Sequence, residues 1–439
     1  MTAASTLTTT TDKPTTTVGR YRWLVCTLLF LATTVNYIDR QILALVKPML
    51  DNELGWTNEQ FGDVMAAFQA AYGIGLLAFG WFVDRVGTRI GYAVSIAAWS
   101  LAAIAHCAAS TVSGFMLARV SLGLGEGGNF PSAIKAVALW FPRRERAFAT
   151  ALFNSGANVG AIVAPALVPF IALTYGWQAT FIAAGIAGFV WLALWLPLYD
   201  VPEKTSRLSA AELAHIESDA EPAPPTEKVR WSQVLKYRQA WAFVIAKALT
   251  DPVWWFFLIW LPDYFKSTRG LDMKHSWVHL VTIYAIVTVL SIAGGWLTGF
   301  LASRGWSVTR ARKTCMFIYA SCALPALLVT NAGDWLAVVL IGVCGAAHQA
   351  WSANLFTSAS DVFPKRAVAS LVGIGGMAGC ITGVMFPIYT GKLLDSFKQA
   401  GNMSAGYAIL FTVCGLAYLV AFALNHVLSP KFEPVAMRN

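Results

Sequence analysis

Gly80-Trp-Phe-Val-Asp-Arg-Val-Gly-Thr-Arg89 and Gly299-Phe-Leu-Ala-Ser-Arg-Gly305 are two copies of one loop, the second shortened but followed by Arg310, Arg312 and Lys313. A second pair repeats in the same register: Trp140-Phe-Pro-Arg-Arg-Glu-Arg146 and Val362-Phe-Pro-Lys-Arg366. The offsets are 219 residues from Gly80 to Gly299 and 222 from Phe141 to Phe363. Two landmarks in one register point to a duplicated chain. Around these loops lie apolar runs of about 20 residues, each long enough to cross a ~30 Å hydrocarbon core. Twelve such runs fall near residues 22–47, 60–83, 90–109, 112–138, 147–172, 178–198, 240–265, 277–301, 313–332, 335–357, 367–391 and 404–427. The composition, 57% hydrophobic and 13% charged, is that of a membrane chain. The expected fold is therefore an all-α membrane protein. Twelve transmembrane helices form two pseudo-symmetric six-helix bundles over residues 21–198 and 240–428. A disordered tail is expected at 1–20, a linker with short amphipathic helices at 199–239, and a second tail at 429–439.

The net charge of +9 suggests nucleic acid only until the charges are placed. About sixteen Lys and Arg fall in the tails and the loops on the tail side, against about six on the other, Lys47 among them. By the positive-inside rule both termini are cytoplasmic and no nucleic-acid partner is implied. The polar, Thr-rich first 20 residues lack the short apolar stretch of a signal peptide. Seven scattered cysteines read as small buried hydrophobes, and no metal or organic cofactor is implied. In the linker, Ser209 and Glu212 have capping-box spacing. Glu221-Pro-Ala-Pro-Pro225 reads as a tether, and Trp231 to Arg238 as an amphipathic piece along the interface.

Among the ionisable residues within the apolar runs four stand out: Asp39 and Arg40 in the first, Arg119 and Glu126 in the fourth. Each costs about 2.5–3.5 kcal/mol there even on insertion scales. At ~1.5 Å per residue, Asp39 lies about 25 Å from the start of its run and Arg119 about 12 Å from the start of its own, comparable depths. Glu126, two turns beyond Arg119, and Tyr72 fall near the midplane. Asp39 with Arg119, or Arg40 with Glu126, would make static pairs, but buried pairs seldom add net stability over apolar packing. A carboxylate whose burial or cationic neighbour changes during a conformational cycle takes up and releases a proton. An arginine fork suits capture of a carboxylate.

The Gly80–Arg89 loop resembles the signature loop of the major facilitator superfamily. It suggests a charge latch, Asp84 with Arg85 and Arg89 around the Gly87 turn, at the junction of the halves. Asn36-Tyr-Ile-Asp-Arg40, Arg119 with Gly123-Leu-Gly-Glu-Gly-Gly-Asn-Phe-Pro131, and Phe153-Asn-Ser-Gly-Ala-Asn-Val-Gly160 resemble its anion:cation symporter family. Lys135-Ala-Val-Ala-Leu-Trp-Phe-Pro142, Ala347-His-Gln-Ala-Trp-Ser352 and Ser358-Ala-Ser-Asp-Val-Phe363 are most similar to the bacterial hexuronate transporters. The resemblance implies proton-driven uptake of galacturonate or glucuronate by a monomeric carrier in a bacterial inner membrane. It makes Asp39 and Glu126 the proton-coupling acids, with Arg119 tuning them. Arg40 would bind the sugar-acid carboxylate, and Tyr37 and Tyr72 would contact the sugar. Aldonate-carrying relatives place a Gln near Ala157; here Asn154 or Asn158 offers an amide instead. A different organic anion of the same family, an aldonate, tartrate or an aromatic carboxylate, is the alternative cargo.

In the second half Pro252 is expected to break its helix beside Asp251. Adjacent Trp254 and Trp255 point apart, so at most one should face a cavity squarely; an indole face suits a pyranose. His348 and Asn354 are candidate substrate contacts. Gly373, Gly375, Gly376 and Gly379 permit close helix approach. No HExxH, DxD or Gly-x-Ser-x-Gly pattern supports an embedded enzyme.

Overall fold

The computed structural model describes residues 19–218 and 231–435; the Thr-rich tail and the Pro-rich tether lie outside them. The helices are α1 Tyr21–Leu54, α2 Asn58–Val86, α3 Thr88–Ala105, α4 Val112–Glu126, α5 Asn129–Trp140, α6 Arg143–Tyr175, α7 Trp177–Leu198, α8 Ala210–Glu217, α9 Trp231–Val234, α10 Arg238–Arg269, α11 Met273–Ser303, α12 Val308–Ala323, α13 Asp334–Val362, α14 Lys365–Gln399 and α15 Met403–Leu428. Among the described residues there is no strand. Eleven segments among the described residues are helical, long and apolar enough to cross a membrane.

The remaining crossing is the fourth, where the expected single run 112–138 is broken into α4 and α5 at Gly127-Gly128. Pro131 supplies the cause: it has no N–H, and its ring collides with the carbonyl four residues back, that of Gly127. The glycines also let this crossing press onto α2. A Cβ on Gly127 would lie 2.4 Å from the Gly75 carbonyl carbon, and one on Gly123 2.5 Å from the Phe68 carbonyl oxygen. Pro252 behaves in the opposite way, correcting the expected break: α10 runs unbroken through Pro252 and Pro262. Packed against α13, α14 and α15, α10 keeps its course, since neighbouring helices can satisfy the backbone that proline frees.

The two halves meet on the side away from the described ends, Gly19 and Val435. There Lys47 of α1 donates to Asp263 of α10 at 2.7 Å and to Asp51 at 3.0 Å, while Tyr407 donates to the other Asp263 oxygen at 2.6 Å. Lys47, counted above among loop charges, is thus buried by a partner more than two hundred residues away. The Asp395 carboxylate of α14 accepts the Asn58 and Glu59 backbone N–H groups at 3.0 and 2.7 Å, satisfying the free amides at the start of α2. The apolar core follows the same division. Far-side residues of the first half, such as Ile42, Phe61 and Phe115, share one cluster with the second half. The termini-side core around Trp99, Trp140 and Trp195 is separate.

On the termini side the signature-loop charges turn inward to their own half, and among the described residues Asp84 pairs with neither Arg85 nor Arg89 in this conformation. Asp84 accepts from Lys135 of α5 at 2.8 Å. Arg89 donates to Asp200 at 2.9 Å and to the Leu196 carbonyl at 2.6 Å, and Arg85 lies over the Trp81 ring at 5.1 Å. The second copy is similar: Arg312 pairs with Asp361 of α13. Among the described residues, no hydrogen bond or ion pair of these loop charges joins the halves here. Gly87 closes α2 and opens α3 at φ 86°, a conformation that favours glycine.

Ser209 caps α8 as its spacing suggests, accepting from Glu212 N–H at 3.2 Å. The Glu212 carboxylate does not return to Ser209. It accepts from the Tyr21 and Arg22 amides at 3.1 Å each, capping α1 from the linker. Arg22 and His215 also reach Glu145 at 3.0 and 2.8 Å. Burial pushes the Glu145 carboxyl up, but the His215 and Arg22 hydrogen bonds outweigh it and hold the group below the usual glutamate range.

Candidate functional site

Asp39 and Arg40 are consecutive on α1, so their side chains point about 100° apart. Arg40 reaches across to α4, where its Nε donates to Glu126 at 2.7 Å. Its guanidinium is sleeved by aromatic rings: Tyr72 at 4.3 Å, Tyr37 at 5.0 Å, and Phe68 and Trp255 at 5.8 Å. Each cation–π contact of a desolvated arginine contributes about 1–2 kcal/mol. Of the two pairings left open by sequence, Arg40 with Glu126 is the one formed.

Asp39 and Arg119 sit beside that pair with no hydrogen-bond partner among the described residues. Both are buried, Asp39 1% and Arg119 0% exposed, and each interacts electrostatically with the other and with Glu126. Phe68 lies 5.5 Å from the Arg119 guanidinium. Asn36 is buried beside Glu126 and interacts with its carboxylate. A native interior rarely leaves so many polar atoms unmatched. A buried cluster of charges is weak evidence for stability, which makes this one a candidate for changes of charge.

Tyr37 and Trp255 also form one wall of a cavity of about 220 Å³ between the halves. α6 contributes Asn154 and Asn158, the amides expected near Ala157. α13 contributes His348 with Gln349 and Ser352. Trp254 and Trp255 both line it. Trp254 stacks on His348 at 5.5 Å and 6°, and His348 Nδ1 is 2.7 Å from the Tyr418 hydroxyl. Two charged residues complete the lining: Lys247 and Asp251, one turn apart on α10 and 2.8 Å from each other.

Tyr72 stands behind this lining, under Arg40. Asn354 is placed elsewhere, a correction to its expected role: it accepts from Thr298 at 3.0 Å and lies 3.5 Å from Arg312. Lys247, Gln349 and Ser352 were missed by the sequence reading. The signal for Lys247 was its place four residues before Asp251 inside an apolar run; Gln349 and Ser352 lie within the Ala347–Ser352 stretch. The chemistry on offer is a polar, aromatic-walled chamber next to a cluster of acids and guanidinium groups.

The family model of the Major Facilitator Superfamily matches residues 29–387. The chain belongs to the major facilitator superfamily. It is a multi-pass membrane transporter and not an enzyme. It is 30% identical over 402 residues to the hexuronate transporter of Escherichia coli (strain K12), spanning 89% of this chain and 90% of that one. It is also 30% identical over 404 residues to the probable galactarate/D-glucarate transporter of Bacillus subtilis (strain 168), with 85% and 86% covered. The expected likeness to hexuronate transporters is borne out. Among solved structures, a bacterial homologue of the human lysosomal transporter Spinster, inward-facing and unoccupied, superposes with a TM-score of 0.75 at 17% identity, covering 94% and 98% of the two chains. A D-xylose-proton symporter does so at 0.73 and 14%, covering 94% and 99%. The superfamily fold is thus shared where little sequence is.

Proposed function

We propose that this member of the superfamily is a proton-coupled symporter that imports a sugar-acid anion, a hexuronate such as galacturonate or glucuronate, by alternating access. The observation that carries the reading is the incompletely paired cluster of Asp39, Arg40, Arg119 and Glu126 immediately behind the cavity wall. In the resting arrangement Arg40 is held by Glu126. A proton on Glu126 removes that partner's charge and frees the arginine fork for the substrate carboxylate. Asp39 and Arg119 supply the second exchangeable charge and the cation that tunes both acids. Proton and anion then enter together, and the buried cluster keeps its net charge. The relatives named for hexuronates and glucarate support a sugar acid as the cargo.

Alternating access is supported by the ion pair and hydrogen bonds that join the halves on the far side, with the signature-loop charges satisfied within their own half. Closure on the termini side would bring Asp84, Arg85 and Arg89 towards the second half, where the latch acts. Both termini are cytoplasmic by the distribution of basic residues, in a bacterial inner membrane, and one chain suffices for the site.

A thermal-shift panel on purified protein tests the cargo, since a ligand stabilises in proportion to its affinity. Galacturonate or glucuronate should raise the melting temperature and their neutral sugars should not. Stabilisation by aromatic acids alone, which the Trp254, Trp255 and Tyr37 walls would accept, would replace the sugar-acid reading.

A further inference from the structure

We propose that Lys247 is the cation on which the anion docks in the conformation described here, and that Asp251 is its resident counter-ion, displaced when the anion arrives. This rests on the reading of the protein as a carrier of carboxylates, and adds a substrate-binding residue from the second half.

Four observations carry it. First, Arg40 does not line the cavity: its guanidinium is shielded by Tyr37 and Trp255 and is already bound to Glu126. An entering anion therefore meets Lys247 before Arg40. Second, the bond between Lys247 and Asp251 is within one helix turn and joins no other element, so it does nothing to hold the bundle together. A lysine buried to 7% exposure for such a local pair is poorly explained by stability. Third, the lysine ammonium has three donors, and Asp251 is its one carboxylate partner among the described residues; its other close neighbour is the Phe356 ring at 4.4 Å. Donors are therefore left for a cavity ligand. Fourth, the Asp251 carboxylate is accommodated by Gly379 of α14, where a Cβ would lie 2.2 Å from Asp251 Oδ2. The glycine leaves the space that the paired carboxylate occupies, so Asp251 is held against a helix of the same half and need not leave it when the ammonium takes another partner.

The exchange balances charge. Lys247 and Asp251 are neutral as a pair, and the carboxylate of the cargo replaces one anionic partner of the ammonium by another. Lys247, His348, Tyr418 and Tyr37 are the titratable groups around Asp251, and only Lys247 carries a fixed positive charge among them.

The test is binding by isothermal titration to the full-length protein in nanodiscs, with galacturonate, glucuronate, an aromatic carboxylate and neutral galactose as probes. Lys247→Gln should weaken carboxylate binding by about thirtyfold or more, the scale for losing one partner of a buried charged contact. Lys247→Arg should keep most of it. Asp251→Asn removes the internal competitor and should bind more tightly than the wild type. A Lys247–Asp251 pair with a merely structural role makes the opposite prediction, weaker binding in both single variants. Should a lone charge prevent either variant from folding, the neutral Lys247→Gln/Asp251→Asn double variant must fold and still fail to bind. Unchanged affinity in Lys247→Gln or in the double variant, or weaker binding in Asp251→Asn, overturns the docking role while leaving the sugar-acid reading intact. A wild type that binds none of the carboxylates ends both.

Discussion

The far-side interface and the central cluster hold similar charges in opposite ways. At the interface two carboxylates that reach across the halves are answered: Asp263 by Lys47 and Tyr407, Asp395 by two backbone amides and the Asn58 side chain. In the cluster only Arg40 and Glu126 bond, while Asp39 and Arg119 lie buried and unmatched among the described residues. Satisfied charges fix a conformation; unsatisfied ones remain available for protons and ligands. The first region has the features of a lock, and the second is the proposed coupling site.

Substitutions should separate the two. Arg40→Ala leaves Glu126 buried without its cation, a loss of about 3–5 kcal/mol for such pairs, and removes the carboxylate fork. Sugar-acid uptake in proteoliposomes should fall about a hundredfold or more. Near-normal uptake at equal expression would mean that the cluster is not the coupling site. Asp263→Asn should act on the lock alone. Lys47 retains Asp51, so the cost is smaller, and a shift of about 1.4 kcal/mol would move the conformational equilibrium tenfold. Spin-label distances between the far ends of α1 and α10 should lengthen, and an unchanged distribution would show that the pair does not lock. Asp395→Ala removes the cap of α2 from across the interface, about 1 kcal/mol, and should lengthen the α2–α14 far-end distance to a lesser degree.

Glu145→Gln should have the smallest effect, about 0.5–1 kcal/mol for a partly exposed pair, read as a lower melting temperature. Because Glu145 titrates lower when folded, its contribution is full above the ordinary glutamate range and is lost as the pH falls through the folded value. The gap between wild type and variant should therefore close below about pH 4. A gap that widened on acidification would reverse the assignment.

Much of this architecture could be read from sequence because its signals are local or repeated. Apolar runs of spanning length and two landmarks in one register give the helices and the duplication. The charged residues announce themselves by being costly where they stand. What escaped is what depends on distant partners. The break at Gly127 needs Pro131 to be set against a glycine run that also packs on α2. Lys47 looks like a loop charge until Asp263 folds over it. Asp84 and Arg89 take Lys135 and Asp200 as partners, neither of them in the signature loop. Lys247 sat beside a recognised aspartate, yet nothing in spacing alone shows that it lines the cavity.

Coupling itself is decided by Glu126→Gln in proteoliposomes loaded with the sugar acid that the wild type carries. If Glu126 hands the proton to the cycle, the variant should exchange labelled for unlabelled substrate at close to the wild-type rate. Under an inward proton gradient it should not accumulate substrate. Accumulation equal to the wild type would contradict proton coupling through the Arg40–Glu126 pair.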